Sequence, residues 1–539
     1  MDNKKKLVIL SDQTTSADFP LDPLTKKIAM NIPPRRAGDN RGDVDTLRQI
    51  LTRKLGASVE IPLSLMASIQ EILHSKVQQM TVTLAAGSFF DDQDQVTSWR
   101  LIEIEKGDQS AVHLGIAVDI GTTTVVVYLV DMTTGRILDQ ASDYNHQIQL
   151  GEDILSRIMA AASPAGLSSL QSLIVDTLNS LVYEVCREAA VKSEDIRAVC
   201  LGANTTMTHL LLGLNPASIC RAPYIPMVNN PGIFTAGEIG LKIHPLAPVY
   251  CLPSVGSYLG GDVIGGIIVS GMHQEEELSL FADVGTNGEF VIGNQDWLVA
   301  CAGAAGPALE GGVTEWGMRA EEGAIDSVHI HNDQVTYTTI HGSPARGICG
   351  SGLIDALAEL FLSGLIDRGA HFTDGREFFV LVPQEETAHG QDIIISQKDI
   401  NNLMRTKGAV NTALEVLVEG VGCTWQEICK FYAAGAFGQY IPIESAVMIG
   451  LYPDLPRERM IRLGNSSGEG ARQVLISNQK RLECEKVAGK ITYFEMNDNA
   501  SFMDKYAGSK FLPHTNLDLY PSVQEELNKR RRLRDKPAN

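Results

Sequence analysis

A strand–turn–strand unit occurs twice in this chain, and that repeat limits the fold more than any other feature. LGIAVDIGTTTVVVYLVD begins at position 114 and LSLFADVGTNGEFVIG at position 278. Each runs from an apolar segment through Asp-x-Gly-Thr into a second apolar segment, and the two aspartates, Asp119 and Asp283, stand 164 residues apart. Apolar runs of four to eight residues bounded by Gly-Thr read as strands of a sheet buried on both faces. A duplicated unit of this kind predicts two similar lobes facing one another across a cleft.

The turn has a chemical use. Gly121 lets backbone come close to an anion, and the N–H and O–H groups of Thr122, Thr123 and Thr124 can donate to phosphate oxygens. A carboxylate repels phosphate, so Asp119 is expected to hold Mg2+ instead, through water. The second copy offers Asp283, Gly285, Thr286, Asn287 and Gly288 for the same purpose. A single Asp-x-Gly-Thr is also an ordinary polar hairpin turn; two copies, each fed by an apolar strand, favour a phosphate clamp. FYAAGAFGQ (431–439) supplies Gly435, Ala436 and Gly438, small residues read here as following a helix and leaving a flat surface for an adenosine. Tight helix–strand packing explains that run as well. GICGSGLID (347–355) and GNSSGEGAR (464–472) are either nucleotide-facing loops or plain helix starts. The run GxxxxGK followed by Ser or Thr does not occur, which excludes a P-loop. The fold class expected is therefore α/β: a two-lobed ATPase of the actin, sugar-kinase and Hsp70 type (ribonuclease-H-like), preceded by a small α+β domain.

At 539 residues the chain is too long for one core. Residues 1–34, rich in Pro, Asp and Lys, read as a linker or extended arm. Residues 35–113 read as a small α+β domain, with helical runs from Asp43 to a stop at Gly56 and after Pro62, then the strand-like MTVTLAAG and SWRLIEIEKG. Residues 114–280 form the first lobe, and 281–539 the second lobe with a C-terminal segment. The basic stretch KRRRLRDK (529–536) reads as a solvated helix end, with docking to an acidic partner as the alternative.

A net charge of -20 repels nucleic-acid backbones and anionic membranes, so neither is an expected partner. The apolar run near the N-terminus is too short for a signal peptide, and no stretch of about 18 apolar residues suggests a membrane span. Nine cysteines, an odd number mostly in apolar surroundings, read as reduced thiols of a cytoplasmic protein. No CxxC occurs; Cys423 and Cys429 lie in VGCTWQEICKF, read as the start of a helix, and an iron–sulfur or zinc site in this chain is not expected.

Several further segments, in order, resemble one family: the reductive activators of corrinoid-dependent proteins. They are NHQIQLGEDILSRI (145–158), LGANTTMTHLLLGLNP (201–216), ACAGAAGPALEGG (300–312), GICGSGLID, AAGAFGQYIP and ITYFEMNDNASFMDKYAGSKFLPH (491–514), beside the two hairpins. The resemblance implies an ATPase that uses ATP and Mg2+ to help reduce Co(II) corrinoid to Co(I) on a partner protein. It implies a homodimer formed through the 35–113 domain, and a 2Fe–2S ferredoxin domain in full-length members. No cysteine precedes Cys186, so the resemblance implies an electron donor or iron–sulfur domain outside this chain. Two other readings share the fold. A small-metabolite kinase would need a substrate pocket and a catalytic aspartate near the transferred phosphate; an activator of 2-hydroxyacyl-CoA dehydratase would need cysteines bridging a 4Fe–4S cluster. A scaffold with vestigial nucleotide binding is a fourth.

Overall fold

The computed structural model describes residues 19–32, 40–285, 287–303, 306, 314–331, 334–435, 441–496 and 502–534. The chain divides into two compact units. One is built from the described chain up to Val269 together with Ser467–Gly489; the other comprises Ser270–Ser466 and the described chain from Lys490 onward.

The first unit opens with a four-stranded sheet. Strands β1 (Thr25–Asn31), β2 (Ser58–Glu60), β3 (Gln79–Ala86) and β4 (Ser98–Lys106) lie in the order β1-β3-β4-β2. Helices α1 (Asp43–Leu55) and α2 (Leu63–Leu73) bury Leu47, Leu51, Ile69 and Ile72 in one core with Met80, Val82 and Leu84 of the sheet. α1 stops where expected, because Gly56 takes φ +70° and its N–H bonds to the Thr52 carbonyl. Within the stretch 1–34, expected to be linker or arm, Thr25–Asn31 is instead an edge strand paired with β3 residue for residue. Its buried Leu24 and Thr25 anchor it, while the lysines at 26 and 27 mask the alternation that would mark it as a strand.

Beside this sheet lies a six-stranded one, order β7-β6-β5-β8-β10-β9. Its strands are β5 (Leu114–Ile120), β6 (Thr124–Asp131), β7 (Arg136–Tyr144), β8 (Ile196–Ala203), β9 (Ile233–Thr235) and β10 (Pro248–Cys251). β5, β6 and β7 form an antiparallel meander; β8 and β10 run parallel to β5 and to each other. The helices after α2 in this unit are α3 (Ile154–Ala160), α4 (Pro164–Glu188), α5 (Thr205–Leu211), α6 (Ala236–Ile239) and α7 (Gly261–Ser270). α4 begins at Ser163, whose side chain accepts from the Gly166 N–H, with Pro164 in the first turn. Its Leu170, Ile174, Leu178, Leu181 and Val185 recur at helical spacing and are buried on the sheet. An ion pair of Arg197 (β8) with both carboxylate oxygens of Glu103 (β4), at 2.6 and 2.7 Å, ties the two sheets together.

The same unit takes two helices from much later in the chain, Ser466–Leu475 and Asn478–Lys490. Arg472 donates to the Gly135 carbonyl, the Leu24 N–H bonds to Leu475, and the Arg481 guanidinium lies over the rings of Phe90 and Tyr250.

The second unit repeats the pattern of the first. Its six-stranded sheet has the order β20-β19-β11-β12-β13-β21. β11 (Ser279–Val284), β12 (Gly288–Gly293) and β13 (Leu298–Gly303) form the meander, and β19 (Lys430–Ala434) and β20 (Met460–Gly464) continue it in parallel on the β11 side. β21 (Ile491–Tyr493) runs parallel to β13 at the other edge. The duplicated hairpins are thus the first strands of two sheets of like topology, and the expected two-lobed α/β class is the one observed. Between β13 and β19 lie a three-stranded sheet of β14 (Ala324–His331), β15 (Gln334–Thr339) and β16 (Gly347–Ile348), in the order β15-β14-β16, and the hairpin of β17 (Phe378–Val382) and β18 (Ile393–Ser396), with α8 (Gly350–Leu362) and α9 (Gln397–Gly420) packed in one large core.

Two local expectations are corrected here. The segment from Cys423 to Phe431 does not start a helix: it follows α9, turns at Trp425–Glu427 and enters β19. FYAA therefore follows a turn rather than a helix, and its small residues sit in a strand hydrogen-bonded on both sides, by β11 and β20. The basic tail is also more than a solvated end. Arg530, in the helix Pro521–Arg534, grips both carboxylate oxygens of Glu359 on α8 at 2.9 and 3.0 Å. Residues 535 and 536 of that tail lie outside the described residues. All nine cysteines are free thiols. Among the described residues no helix is long and apolar enough to cross a membrane.

Candidate functional site

In the first unit the carboxyl ends of parallel strands converge, the usual place for a ligand in such sheets. Asp119 is the half-exposed residue near the end of the otherwise buried β5. Gly121 then turns the chain, its N–H bonded to the Thr124 carbonyl at 2.9 Å. A Cβ at Gly121 would lie 2.8 Å from that same carbonyl oxygen, so the turn requires glycine. Thr122, Thr123 and Thr124 follow, all half-buried.

Three residues that sequence reasoning did not single out surround this turn. Asn145, fully buried, donates from Nδ2 to the Gly121 carbonyl at 3.0 Å, and its own N–H bonds to the Thr123 carbonyl at 2.9 Å. Asn204, at the end of β8, donates from Nδ2 to Thr122 Oγ1 at 3.2 Å. Asp262 stands at the start of α7, where Gly260 and Gly261 permit a close approach: a Cβ on Gly260 would fall 2.3 Å from the Asn204 Cα, and one on Gly261 2.5 Å from the Leu252 carbonyl. Burial, and then the charge of Asp119, push the Asp262 carboxyl up to about 6. Two carboxylates in mutual repulsion, one near the end of β5 and one at the start of α7, are what a divalent cation relieves. Both asparagines fall within segments that had carried the resemblance, but no local pattern distinguishes a capping asparagine from one that also reaches a neighbouring turn.

Behind the turn lies Arg157, which is fully buried. It donates to the Gly151 carbonyl, Gln147 Oε1 and Met207 Sδ, while its Nη2 has no hydrogen-bond partner among the described residues. Burial lowers its pKa to about 10, which leaves it charged at neutral pH. A positive charge is thus held behind the turn.

In the second unit, Asp283 takes the place that Asp119 has in the first, near the end of β11 and half-exposed. The Gly285 N–H bonds to the Asn287 carbonyl at 2.8 Å, and Gly288 opens β12, paired with Gly303. Parallel pairing sets Asp283 beside Ala434, and the next residue, Gly435, takes φ +90°. The site residues Thr286, Ala436 and Gly438 lie outside the described residues, as does most of 304–312.

The other small-residue turns open helices. In GICGSGLID, Cys349 precedes α8, and a Cβ on Gly352 would lie 2.2 Å from the Ile325 carbonyl, so that glycine serves packing. GNSSGEGAR leads from β20 into the helix Ser466–Leu475, and Ser467 packs where a Cβ on Gly202 would stand.

Comparison with known proteins covers nearly the whole chain. Residues 14–111 match the family described as the RACo linker region, residues 114–275 the RACo middle region, and residues 277–524 the C-terminal domain of RACo, the ASKHA domain. The corrinoid activation enzyme RamQ of Eubacterium limosum is 31% identical over 516 residues, 92% of this chain and 84% of that protein. The Co(II) methylated amine-specific corrinoid protein reductase of Methanosarcina barkeri is 24% identical over 409 residues, 70% of this chain and 73% of that protein. Among solved structures, a reductive activator for corrinoid,iron-sulfur protein superposes with a TM-score of 0.86 at 36% identity, covering 96% of this chain and 82% of the other.

Proposed function

This chain belongs to the RACo family of reductive activators of corrinoid proteins, and from that premise we propose that it is an ATPase that returns a corrinoid protein from Co(II) to Co(I). The observation that carries the reading is the repeated hairpin, each copy with an aspartate near the end of its first strand and a glycine-led turn after it. Gly121, Thr122, Thr123, Thr124, Gly285, Thr286, Asn287 and Gly288 hold the phosphates of ATP. Gly435, Ala436 and Gly438 face the nucleoside.

Asp119 and Asp283 would hold Mg2+, and the position of Asp262 beside Asp119 makes it a third candidate carboxylate. Among the described residues no cluster of three or more His, Cys, Asp or Glu could enclose a metal ion. Magnesium usually keeps several waters and takes one or two carboxylates together with substrate phosphates. When bound, the ion neutralises charge on the transferred phosphoryl group.

The electron itself comes from a donor outside this chain. Reduction of Co(II) is difficult while an axial ligand pushes electron density onto cobalt; each ~59 mV by which ligand removal raises the potential favours Co(I) about tenfold. A protein that binds the ligand-free form better shifts that population, by as much as its affinities for the two forms differ. ATP turnover then releases a partner that would otherwise remain bound.

The test combines this chain, a Co(II) corrinoid protein of the same organism, Mg-ATP and a strong chemical reductant. Co(I) absorption and ATP hydrolysis should both rise with the partner, and Asp119→Asn and Asp283→Asn should each cut turnover about a hundredfold or more. Hydrolysis at the parent rate in both variants overturns the site; no partner dependence of Co(I) yield or ATPase rate overturns the activator reading.

A further inference from the structure

Two helix-capping asparagines meet the first turn with their amides in a fixed sense. A side-chain amide has one accepting end and one donating end, and which is which has to be settled by the groups it faces. At Asn204 the oxygen accepts from the backbone N–H of Met207 at 2.9 Å, capping α5. A backbone N–H can only donate, so Oδ1 must face it. Nδ2 is thereby left to face Thr122 Oγ1, at 3.2 Å. At Asn145 the arrangement is the same: Oδ1 accepts from the Gln147 N–H at 3.1 Å, and Nδ2 faces the Gly121 carbonyl at 3.0 Å.

This has a consequence for the hydroxyl of Thr122. Its oxygen accepts from Asn204, so its hydrogen points elsewhere, and the residue is half-exposed. A threonine hydroxyl left alone rotates and is as ready to accept as to donate. One held by an amide N–H is set to donate, which is what a phosphate oxygen requires. Asn145 acts on the other side of the turn. By taking the Gly121 carbonyl as its acceptor, it keeps that partial negative charge away from a bound anion.

We propose that Asn204 is a positioning residue that sets the Thr122 hydroxyl as a donor to a nucleotide phosphate oxygen, with Asn145 holding the Gly121 carbonyl back from the same anion. The proposal rests on the reading of the first hairpin as a phosphate site and adds to it how the turn is polarised. It separates two properties that substitution can pull apart. Aspartate caps a helix about as well as asparagine, yet it has no N–H to offer, so Asn204→Asp keeps the cap and reverses the polarity seen by Thr122.

The experiment measures Mg-ATP affinity by calorimetry, together with kcat and KM for hydrolysis, in Thr122→Ala, Asn204→Ala, Asn204→Asp and the doubles of Thr122→Ala with each Asn204 variant. A hydrogen bond to a charged group contributes about 1.5–3 kcal/mol, so Thr122→Ala and Asn204→Ala should each weaken nucleotide binding about tenfold or more. The two should not add: with Thr122 already alanine, Asn204→Ala should change affinity less than about twofold. Asn204→Asp should lose affinity while melting within a few degrees of the parent. Its effect in the Thr122→Ala background measures the added charge alone, and is to be subtracted. Should Asn204→Ala fail to fold, the aspartate pair carries the same test, because its cap is intact. Additive losses, or an Asn204→Asp protein that binds like the parent, overturn the positioning role while the phosphate site stands. Parent-like binding by Thr122→Ala overturns the phosphate site itself, and this proposal with it.

Discussion

Gly470 and Gly265 meet backbone to backbone: a Cβ on Gly470 would lie 2.4 Å from the Gly265 Cα and 2.7 Å from its carbonyl oxygen. The helix Ser466–Leu475 and α7, which carries Asp262 at its start, cross at this point without an intervening side chain. A methyl group there has nowhere to go except by pushing two backbones apart. Gly470→Ala should cost about 1–3 kcal/mol, the range for overpacking. Gly489, in the helix Asn478–Lys490, has nothing within 4 Å of its Cβ position. Gly489→Ala should therefore stabilise, by less than the roughly 0.8–1 kcal/mol of an interior position because Gly489 is the last-but-one residue of its helix. Urea denaturation of both variants checks the pair; Gly470→Ala at parent stability would show that the crossing is looser than described.

Gly435 bears on Asp283 in the same manner. A Cβ at Gly435 would lie 2.3 Å from Asp283 Oδ1, and φ +90° is unfavourable for any residue with a side chain. Gly435→Ala should displace the carboxylate and lower ATP turnover about as far as Asp283→Asn does. Steady-state hydrolysis assays of the two variants side by side decide it, with circular dichroism to confirm a folded chain. A fully active Gly435→Ala protein would mean that the Asp283 carboxylate does not need its observed place.

Acid should weaken the first unit through two histidines. Burial, aided by the charges of Lys27 and Arg197, lowers the pKa of His113 to about 4; burial and Arg197 do the same for His244. Carboxylates face both rings, Asp131 at His113 and Glu105 and Glu103 at His244, and do not offset these effects. Between pH 6.5 and 4 the unfolded chain binds protons that the folded chain refuses, so stability falls as pH falls through that window. The slope is at most about 1.4 kcal/mol per pH unit for each ring, and less for His244, whose side chain is 16% exposed. Melting temperatures from pH 7 to 5 should drop less in His113→Gln/His244→Gln than in the parent. An unchanged pH dependence would exclude both rings as the cause.

Truncation after Leu527 removes Arg530 and leaves the Glu359 carboxylate, only 11% exposed, without its bidentate partner. Losing one partner of a largely buried pair costs about 3–5 kcal/mol when burial is complete, and about half that is expected here because Arg530 is 27% exposed. Chemical denaturation of the truncated chain, and of Glu359→Gln with the tail intact, should show losses in the same range. If truncation leaves stability unchanged, the tail is the solvated end that its charge pattern suggested.

What could be read in the sequence was local. β5 and β6 announce themselves because short apolar runs, rich in Val and Ile, flank a Gly-Thr turn, and the pattern occurs twice. Helices α1 and α2 follow from apolar spacing with Gly56 and Pro62 at their ends, and the body of α4 from apolar spacing alone. The rest depended on contacts distant in sequence. Asp262 sits in a Gly-Gly-Asp helix start that resembles many others; packing alone brings it to Asp119. Asn145 and Asn204 look like caps, and are caps, but their second bond goes to the turn at 121–122. Strand Thr25–Asn31 is an edge strand with lysines on both of its faces, Lys27 nearly buried against Glu105, and that hides its period; the small residues of FYAA suit a strand paired on both sides as well as they suit a flat surface after a helix.

The return of the chain at Ser467–Gly489 to the unit it left at Val269 has a consequence on the ribosome. The unit begun first is still incomplete when most of the second has been made. Gly115, in the first strand of its large sheet, packs against Leu475, which is made about 360 residues later. At ordinary rates of roughly 5–20 residues per second, that strand waits some 20 to 70 s for the side chain that covers it. Meanwhile nearly all of Ser270–Ser466 emerges with most of its own sheet already in hand. During synthesis the nascent first unit thus exposes an apolar face at β5 that is hidden in the finished protein, a surface for a holding chaperone to cover until residue 489 is released.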